Sequence, residues 1–277
     1  MSKLIAAGLI AFFAVIYFAL EQMNYSNRAD WSIYLIPLGL LLVLLYIFHY
    51  QIDWWWHKRN PPKLDSRVIQ ILNHNLPYYN SLNESQQNKF NERLSLYMMR
   101  HRFLAQGSEQ EDFVPEDIKA MTSMHAIMLT LNKENYLMDP FEHIIFYKHP
   151  FPSPRYQFLH ASEIDKEDGA LIFSLEQLAA GILKSDKHYN IALHEYAEAY
   201  LHIYQNENWP EIDDLIWEKL QTISSFKKSY LINLFGEIPI NPLAVMINYF
   251  FSFPEAFQKE LPNAYVQLAE IFGQAKA

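Results

Sequence analysis

The chain has 277 residues, of which 51% are hydrophobic, it contains no cysteine, and its formal net charge at pH 7 is −9. The missing cysteine excludes a disulfide framework, a thiolate zinc site and a cysteine nucleophile. The acidic balance argues against non-specific nucleic-acid binding, which needs a basic face, so we expect no nucleic acid among the partners.

Two apolar segments stand near the N-terminus. Residues 4–20 and 32–50 contain no Asp, Glu, Lys or Arg, and each is close to the roughly 20 residues that span a bilayer as a helix. We therefore predict a two-helix transmembrane hairpin over residues 1–59. A cleavable signal peptide is the alternative for the first segment, but no small-x-small cleavage site follows it, and the second apolar segment comes soon after.

Basic residues near these segments predict the orientation of the hairpin. Lys3 precedes the first segment and Lys58 and Arg59 follow the second, whereas the connecting loop carries only Arg28. Since basic residues accumulate on the cytoplasmic side, both ends are expected in the cytoplasm. The predicted location is the cell inner membrane, with a multi-pass anchor and a cytoplasmic C-terminal domain. The tryptophans at 54–56 are typical of a membrane interface.

A polar stretch with two prolines, "NPPKLDSR" at residues 60–67, follows the second apolar segment. Because the residue before a proline avoids the helical conformation, this stretch predicts a break in the chain. We place a domain boundary near residue 60 and predict a second domain over residues 60–277.

Helical spacing of apolar residues dominates the first part of this second domain. Three stretches show it: residues 68–72, 83–104 and 115–131. Asn83 has the chemistry of an N-cap for the second stretch, and Pro115 suits the first turn of the third.

Two short runs of β-branched and aromatic residues, at 143–147 and 171–174, predict strands. Helical spacing returns over residues 188–205 and 241–251. This order of elements predicts an α+β domain that is mostly helical, with a small sheet, and not an alternating βαβ fold.

The segment "LHEYAEAYLH" at residues 193–202 carries the candidate chemistry. Residues four apart share one face of a helix, so His194 and Glu198 can point at one ion while Glu195 reaches a bound water. In zinc peptidases of the H-E-x-x-H type, two histidines hold the metal and the glutamate is the general base. Alone, the H-E-x-x-E pattern is a weak signal, since Glu198 also suits a solvated face. His202 lies about 12 Å along the helix from His194, too far to share the ion.

Four other histidines are candidates for the site. His125 lies among apolar residues and is more simply a hydrogen-bonded core histidine than a ligand. His143, His149 and His160 flank the predicted strands and could line a cleft, but nothing in their spacing pairs them.

Three segments resemble a known family in order and spacing. They are "IFSLEQLAAG", "YNIALHEYAEAYL" and "INPLAVMINYFFSFPEAFQKELPNAYVQLAEIFGQ". Together they resemble the Mlc titration factor A family of zinc-dependent peptidases. The likeness runs from about residue 66 to the C-terminus and is most specific over residues 249–272.

The resemblance implies a gluzincin-like metallopeptidase domain, in which two histidines of the motif helix and a glutamate of a later helix hold zinc. Matched position by position, the first histidine is His194 and the general base is Glu195. The second histidine falls on Glu198, and the third ligand, a glutamate, falls on Asn248. Two of the three ligand types have therefore changed.

These changes affect the expected metal. A site of one histidine, one carboxylate and one amide keeps a first-shell charge of −1, but its oxygen ligands move the preference from zinc towards Mg²⁺ or Mn²⁺. For an extended peptide, the segment "GALIFS", with Leu171, Ile172 and Phe173, is the expected binding edge, because strand addition uses backbone groups alone.

Three interpretations stand open. We favour a membrane-anchored, peptidase-like domain with a degraded metal site, a pseudoenzyme that binds a peptide or protein partner. The second is an active metallopeptidase with an altered His194, Glu198 and Asn248 site and Glu195 as the base. The third is an unrelated helical scaffold, which would have no cleft beside His194.

Overall fold

The structure is a computed structural model that describes residues 2–22, 31–107, 113–236 and 238–274. The chain divides into two compact units, Met1–Pro62 and Lys63–Ala277. The division falls inside the proline-marked stretch in which a domain boundary was expected.

In the ranges that the structure describes, the first unit contains three helices: α1 (Ser2–Gln22), α2 (Trp31–Ile47) and α3 (His49–Arg59). Helix α1 contacts both α2 and α3. The Asp53 carboxylate accepts hydrogen bonds from the backbone nitrogen of Ser2 at 2.7 Å and from its hydroxyl at 2.8 Å, which joins the start of α1 to α3.

The predicted transmembrane hairpin is not found. Within the described ranges, no helix is both long enough and apolar enough to cross a membrane. The second apolar segment forms a helix of only 17 residues that ends at Ile47, fewer than the roughly 20 that a span requires. The rest of that segment belongs to α3, and the connecting residues 23–30 lie outside the described ranges.

The second unit is mostly helical and contains a small sheet. Its helices are α4 (Ser66–Asn75), α5 (Pro77–Ser81), α6 (Glu84–Arg100), α7 (Glu116–Thr130), α8 (Leu175–Leu183), α9 (Ile191–Ile203), α10 (Ile216–Ser224), α11 (Lys228–Phe235), α12 (Pro242–Ser252), α13 (Pro254–Glu260) and α14 (Pro262–Ile271). Its strands are β1 (Arg102–Ala105), β2 (His143–Tyr147), β3 (Ser162–Asp165) and β4 (Ala170–Ser174).

The four strands form one mixed sheet in the order β1-β2-β4-β3. The β1–β2 and β2–β4 pairs are parallel, and the β3–β4 pair is antiparallel, with Ser162 opposite Phe173 and Asp165 opposite Ala170. Strand β4 is therefore paired on both sides, while β3 lies at one edge of the sheet.

The prediction of an α+β domain in which helices dominate is confirmed, but two strands were missed. Residues 102–104 were assigned to the helix that precedes them, and they form most of β1. Helix α6 ends at Arg100, because His101 adopts an extended conformation with ψ of 150°. Since β1 and β2 are parallel and α7 lies between them, the domain contains one βαβ crossover, which the sequence pattern did not predict.

Helix α9 lies at the centre of this unit. It contacts α7, α8, α12, β3 and β4. Nearly every side chain from Ile191 to Tyr200 is buried, and so is the stretch from Ala244 to Phe250 on α12. A helix that is apolar on most of its faces belongs in a core, and this burial fixes the position of the residues that α9 carries.

Candidate metal site and cleft

The start of α9 is fixed by a side-chain cap. Asn190 is the N-cap residue, and its side-chain oxygen accepts a hydrogen bond from the Leu193 backbone nitrogen at 3.0 Å. A cap of this type satisfies one of the free N–H groups of the first turn. His194 and Glu195 directly follow Leu193, so the cap fixes the position of both residues on the helix.

A cleft of about 200 Å³ opens between α9 and β3. His194, Glu195 and Glu198 line it from α9, while Ser162 and Glu163 line it from β3. The helical spacing therefore brings the three motif side chains to one place, as the sequence predicted.

The remaining walls of the cleft are of two kinds. Arg155 and Lys166 supply positive charge. The apolar part of the wall is formed by Phe235, Ile238, Pro239 and Ile240. The cleft thus offers both charged groups and apolar surface to a ligand.

His194 is buried and neutral. Its Nδ1 lies 2.8 Å from the Tyr189 hydroxyl, and its ring centre is 4.5 Å from that of Phe235. Burial lowers the pKa of His194 to about 3. A metal-bound histidine usually donates its second N–H to a carboxylate or a carbonyl, which fixes the tautomer. A tyrosine hydroxyl can donate as well as accept, so Tyr189 does not fix it.

Glu195 is buried beside His194 and is bonded to the edge strand. The Ser162 hydroxyl donates to Glu195 Oε1 at 2.7 Å. The pKa of Glu195 is raised to about 8, mainly by burial and also by the charges of Glu198 and Glu163, while the Ser162 hydrogen bond and the charge of Lys166 oppose the rise. At neutral pH a carboxyl group with this pKa is mostly protonated.

The other two carboxylates of the cleft each have a basic neighbour. Lys166 Nζ lies 3.5 Å from Glu198 Oε2, and His160 Nε2 lies 3.1 Å from Glu163 Oε2 in a fully buried pair. The Glu198 side chain is 12% exposed, so Glu198 does not lie on a solvated helix face, which was the alternative interpretation of this residue.

Asn248 makes its contacts away from the cleft. Its side-chain nitrogen donates to the Asn190 backbone oxygen at 2.7 Å, and its side-chain oxygen accepts from the Ser252 hydroxyl at 3.4 Å. Asn248 is not among the described residues that line the cleft with His194 and Glu198.

These residues do not fit a zinc ion held as the family resemblance implies. Asn248 is bonded to Asn190, and Glu198 is paired with Lys166. In the part of the chain that the structure describes, no three His, Asp or Glu side chains are arranged to hold one metal ion. His194 is the one expected zinc ligand that keeps its residue type.

The expected peptide-binding edge must be corrected. Leu171, Ile172 and Phe173 lie on β4, which pairs with β2 on one side and β3 on the other. The side chains of Leu171 and Phe173 are fully buried. Because both edges of β4 are occupied, an extended peptide cannot pair with it, and β3 is the strand at the edge beside α9.

The other histidines lie outside the metal-site position. His125 is a buried core histidine, as predicted, and its Nε2 lies 2.9 Å from the Asn190 side-chain nitrogen. His202 packs its ring against Phe141. His149 forms an exposed pair with Glu176, while His160 reaches the cleft through Glu163.

The sequence did not predict the described polar partners of the motif side chains, which are Tyr189, Ser162 and Lys166. Tyr189 stands five residues before His194 and directly before the N-cap residue Asn190, so its closeness to His194 in the sequence was a usable signal. Ser162 and Lys166 could not be found, because they belong to β3 and the turn after it, which showed no strand pattern.

Comparison with known protein families shows a match. The profile of a family described as glucose-regulated metallo-peptidase M90 matches residues 52–200, which are 149 of the 277 residues. The match includes His194, Glu195 and Glu198, ends before α12, and confirms the resemblance to the Mlc titration factor A family. No curated protein matches the chain. The chain therefore belongs to the M90 family of glucose-regulated metallo-peptidases.

Proposed function

We propose that the second unit is a metallopeptidase-like domain with a degraded metal site, which binds an extended peptide or protein segment without cleaving it. The observation that carries this proposal is the hydrogen bond from Asn248 to the Asn190 backbone oxygen. The residue at the third ligand position is held to the protein backbone through its amide nitrogen, and it does not line the cleft. Glu198 also lines the cleft but is paired with Lys166, so among the described residues His194 is the one expected ligand that faces the cleft without an ion-pair partner.

The edge strand supports peptide binding. In the described sheet, β3 pairs with β4 on one side, and Ser162, Glu163 and Ile164 of β3 line the cleft. The backbone nitrogen of Ala161 already donates to the Leu234 oxygen at 2.9 Å, so the stretch available for pairing starts after residue 161. An extended segment that adds to a sheet edge gains affinity from backbone hydrogen bonds and specificity from alternate side chains.

The test is a binding screen on the full chain with a library of extended peptides, in the presence and absence of EDTA. We expect the same peptides to bind under both conditions and mass spectrometry to recover them intact. Substituting Ile164 on the edge strand by proline, which removes a backbone N–H from the strand, should weaken binding. Cleavage that EDTA abolishes would contradict the proposal.

An active metallopeptidase with His194, Glu198 and Asn248 as ligands is the second candidate. It is favoured by one observation, that His194, Glu195 and Glu198 all line one cleft. The ligands would be an imidazole, a carboxylate and an amide oxygen, a set that suits Mg²⁺ or Mn²⁺ better than zinc. Glu195→Gln decides between the candidates, since this change abolishes hydrolysis that depends on Glu195 and leaves peptide binding in place.

We also propose that the first unit holds the domain at the inner membrane, on the cytoplasmic side. Large apolar side chains are exposed along its helices, including Leu4, Phe12 and Val43. On α3 the Arg59 guanidinium lies 3.8 Å from the centre of the exposed Trp55 ring, a pairing that suits the interface of an anionic bilayer. Cell fractionation should recover the full chain with the membrane, and residues 63–277 alone should be recovered in the cytosol.

A further inference from the structure

Asn248 ties α12 to the start of α9 in the interior of the second unit. Asn248 is 1% exposed, and the Asn190 backbone oxygen that accepts its amide N–H at 2.7 Å also accepts from the His194 backbone nitrogen at 3.2 Å. One carbonyl group is thus shared by the first turn of α9 and by α12. Such a bond is not weakened by competing water.

The connection continues from Asn190 to α7. The Asn190 side-chain nitrogen lies 2.9 Å from His125 Nε2, and His125 Nδ1 lies 3.2 Å from the Thr122 backbone oxygen. A carbonyl oxygen only accepts, so the ring proton of His125 is on Nδ1, and Nε2 accepts from Asn190. Burial lowers the pKa of His125 to about 4, which keeps the ring neutral. Every donor in this chain of bonds therefore has an acceptor.

A carboxylate at position 248 could not make this connection. Glutamate or aspartate has no N–H to donate when ionised, and its oxygen would face the Asn190 carbonyl oxygen in a buried position. Leaving such groups unpaired is costly in the interior. A metal-ligating carboxylate at this position and the observed bond therefore exclude each other.

We infer that Asn248, Asn190 and His125 form a buried brace that holds the first turn of α9 against α7 and α12 without a metal ion. The brace positions His194 and Glu195 at the cleft. Asn248 stands at the position where the family resemblance implies a metal ligand. The brace therefore replaces the metal ligand at this position, and the ligand is not simply lost. This inference goes beyond the proposed function, because it concerns how the site is held and not what it binds.

Thermal unfolding and hydrogen exchange of the full chain test the inference. The variant is Asn248→Asp, which keeps the shape of the side chain and removes the donor. The matched control is Asn73→Asp, because the amide of Asn73 also donates to a backbone oxygen, that of Ile69, but on the exposed side of α4.

We expect Asn248→Asp to lower Tm by roughly 5 to 10 °C, since a buried acceptor loses its donor, and the control to lower it by about 2 °C or less. The backbone amides of Leu193 and His194 should exchange faster in Asn248→Asp while those at the end of α9 keep their protection. If Asn248→Asp does not fold, Asn248→Ala, which adds no charge, is measured with the same expected direction.

Two results would overturn the brace. One is an Asn248 variant whose Tm and first-turn exchange match the control. The other is a wild-type chain whose Tm rises with added zinc and falls with EDTA, since that behaviour assigns the holding of α9 to a metal. An Asn248 variant that matches the control would overturn the brace alone, whereas a Tm that depends on zinc would overturn both the brace and the degraded metal site. Peptide binding tests the proposed function separately.

Discussion

The Ser162 hydroxyl on β3 donates to the Glu195 carboxyl on α9 at 2.7 Å, so the edge strand and the motif helix are joined inside the cleft. Both residues are buried. Because Ser162 belongs to β3, a ligand that pairs with β3 would contact the strand that carries the hydrogen-bond partner of Glu195.

Removing this hydroxyl should change both stability and titration. In Ser162→Ala the loss of one buried hydrogen bond should lower the free energy of unfolding by about 1 kcal/mol. Because the bond lowers the pKa of Glu195, its loss should move that pKa further above its present value of about 8. Carboxyl NMR titration measures the second effect.

Ser95→Ala is the matched control for that variant. The Ser95 hydroxyl is buried and bonds to the Glu92 backbone oxygen on α6. Its loss should cost a similar amount of stability and leave the pKa of Glu195 unchanged. An equal Glu195 titration in the wild type and Ser162→Ala would show that the hydrogen bond does not act on the carboxyl group.

Glu195 should make the protein less stable as the pH rises. Its folded pKa of about 8 lies above the ordinary value of 4.5, so the folded state binds a proton that the unfolded state releases. The stabilisation is complete below about pH 4.5 and is lost as the pH rises through 8. Between pH 5 and 7 the loss is about 2 kcal/mol. Urea unfolding of Glu195→Gln should therefore show a loss of stability between pH 5 and 7 that is smaller than that of the wild type by about 2 kcal/mol. An equal loss in the two proteins would show that Glu195 does not titrate in this way.

His125 should act in the opposite direction. Burial lowers its folded pKa from 6.5 to about 4, so between these values the unfolded state binds the proton and the folded state does not. Stability is therefore complete above pH 6.5 and is lost as the pH falls towards 4, by about 2 kcal/mol between pH 7 and 5. His125→Gln keeps an acceptor for Asn190 and does not titrate, so it should lose less stability than the wild type over that interval. Urea unfolding at the two pH values measures the difference.

Arg155 should favour acidic peptides in the proposed binding cleft. It lines the cleft, and no carboxylate pairs with it among the described residues. Charge reversal at the rim of a binding site mainly slows association, and more so at low salt. Arg155→Glu should weaken binding of Asp- and Glu-containing peptides by about tenfold at low ionic strength. Arg67→Glu changes the net charge equally on α4 and should leave binding unchanged; equal effects of the two changes would assign the preference to overall charge.

The sequence predicted the parts of this site that depend on local spacing. The placement of His194, Glu195 and Glu198 at one cleft follows from their spacing on a single helix, which begins at an N-cap asparagine. Strands β2 and β4 were found because they are bounded by Pro, Asp and Gly. Strands β1 and β3 have four residues each, and their sequences, "RFLA" and "SEID", contain no run of β-branched and aromatic residues, so neither strand could be predicted from the sequence.

The role of Asn248 could not be predicted from the sequence. The resemblance to the family identified the position as an altered ligand. The bond that Asn248 makes joins residues 58 apart in the chain, and it exists because α12 packs against the N-cap of α9. The same holds for Lys166, whose partner Glu198 is 32 residues away. Contacts between distant elements depend on the fold as a whole.

The most direct measurement is a calorimetric titration of the full chain, purified without chelator, with Zn²⁺ and separately with Mn²⁺, together with the metal content before titration. His194→Ala is the control, because it removes the one expected zinc ligand that the chain retains. We expect the purified chain to contain no stoichiometric metal. At millimolar concentrations of either ion, we expect no saturable heat of binding that differs between the wild type and His194→Ala. Binding of one ion per chain that disappears in His194→Ala would contradict it and would identify the protein as a metallopeptidase with an altered site.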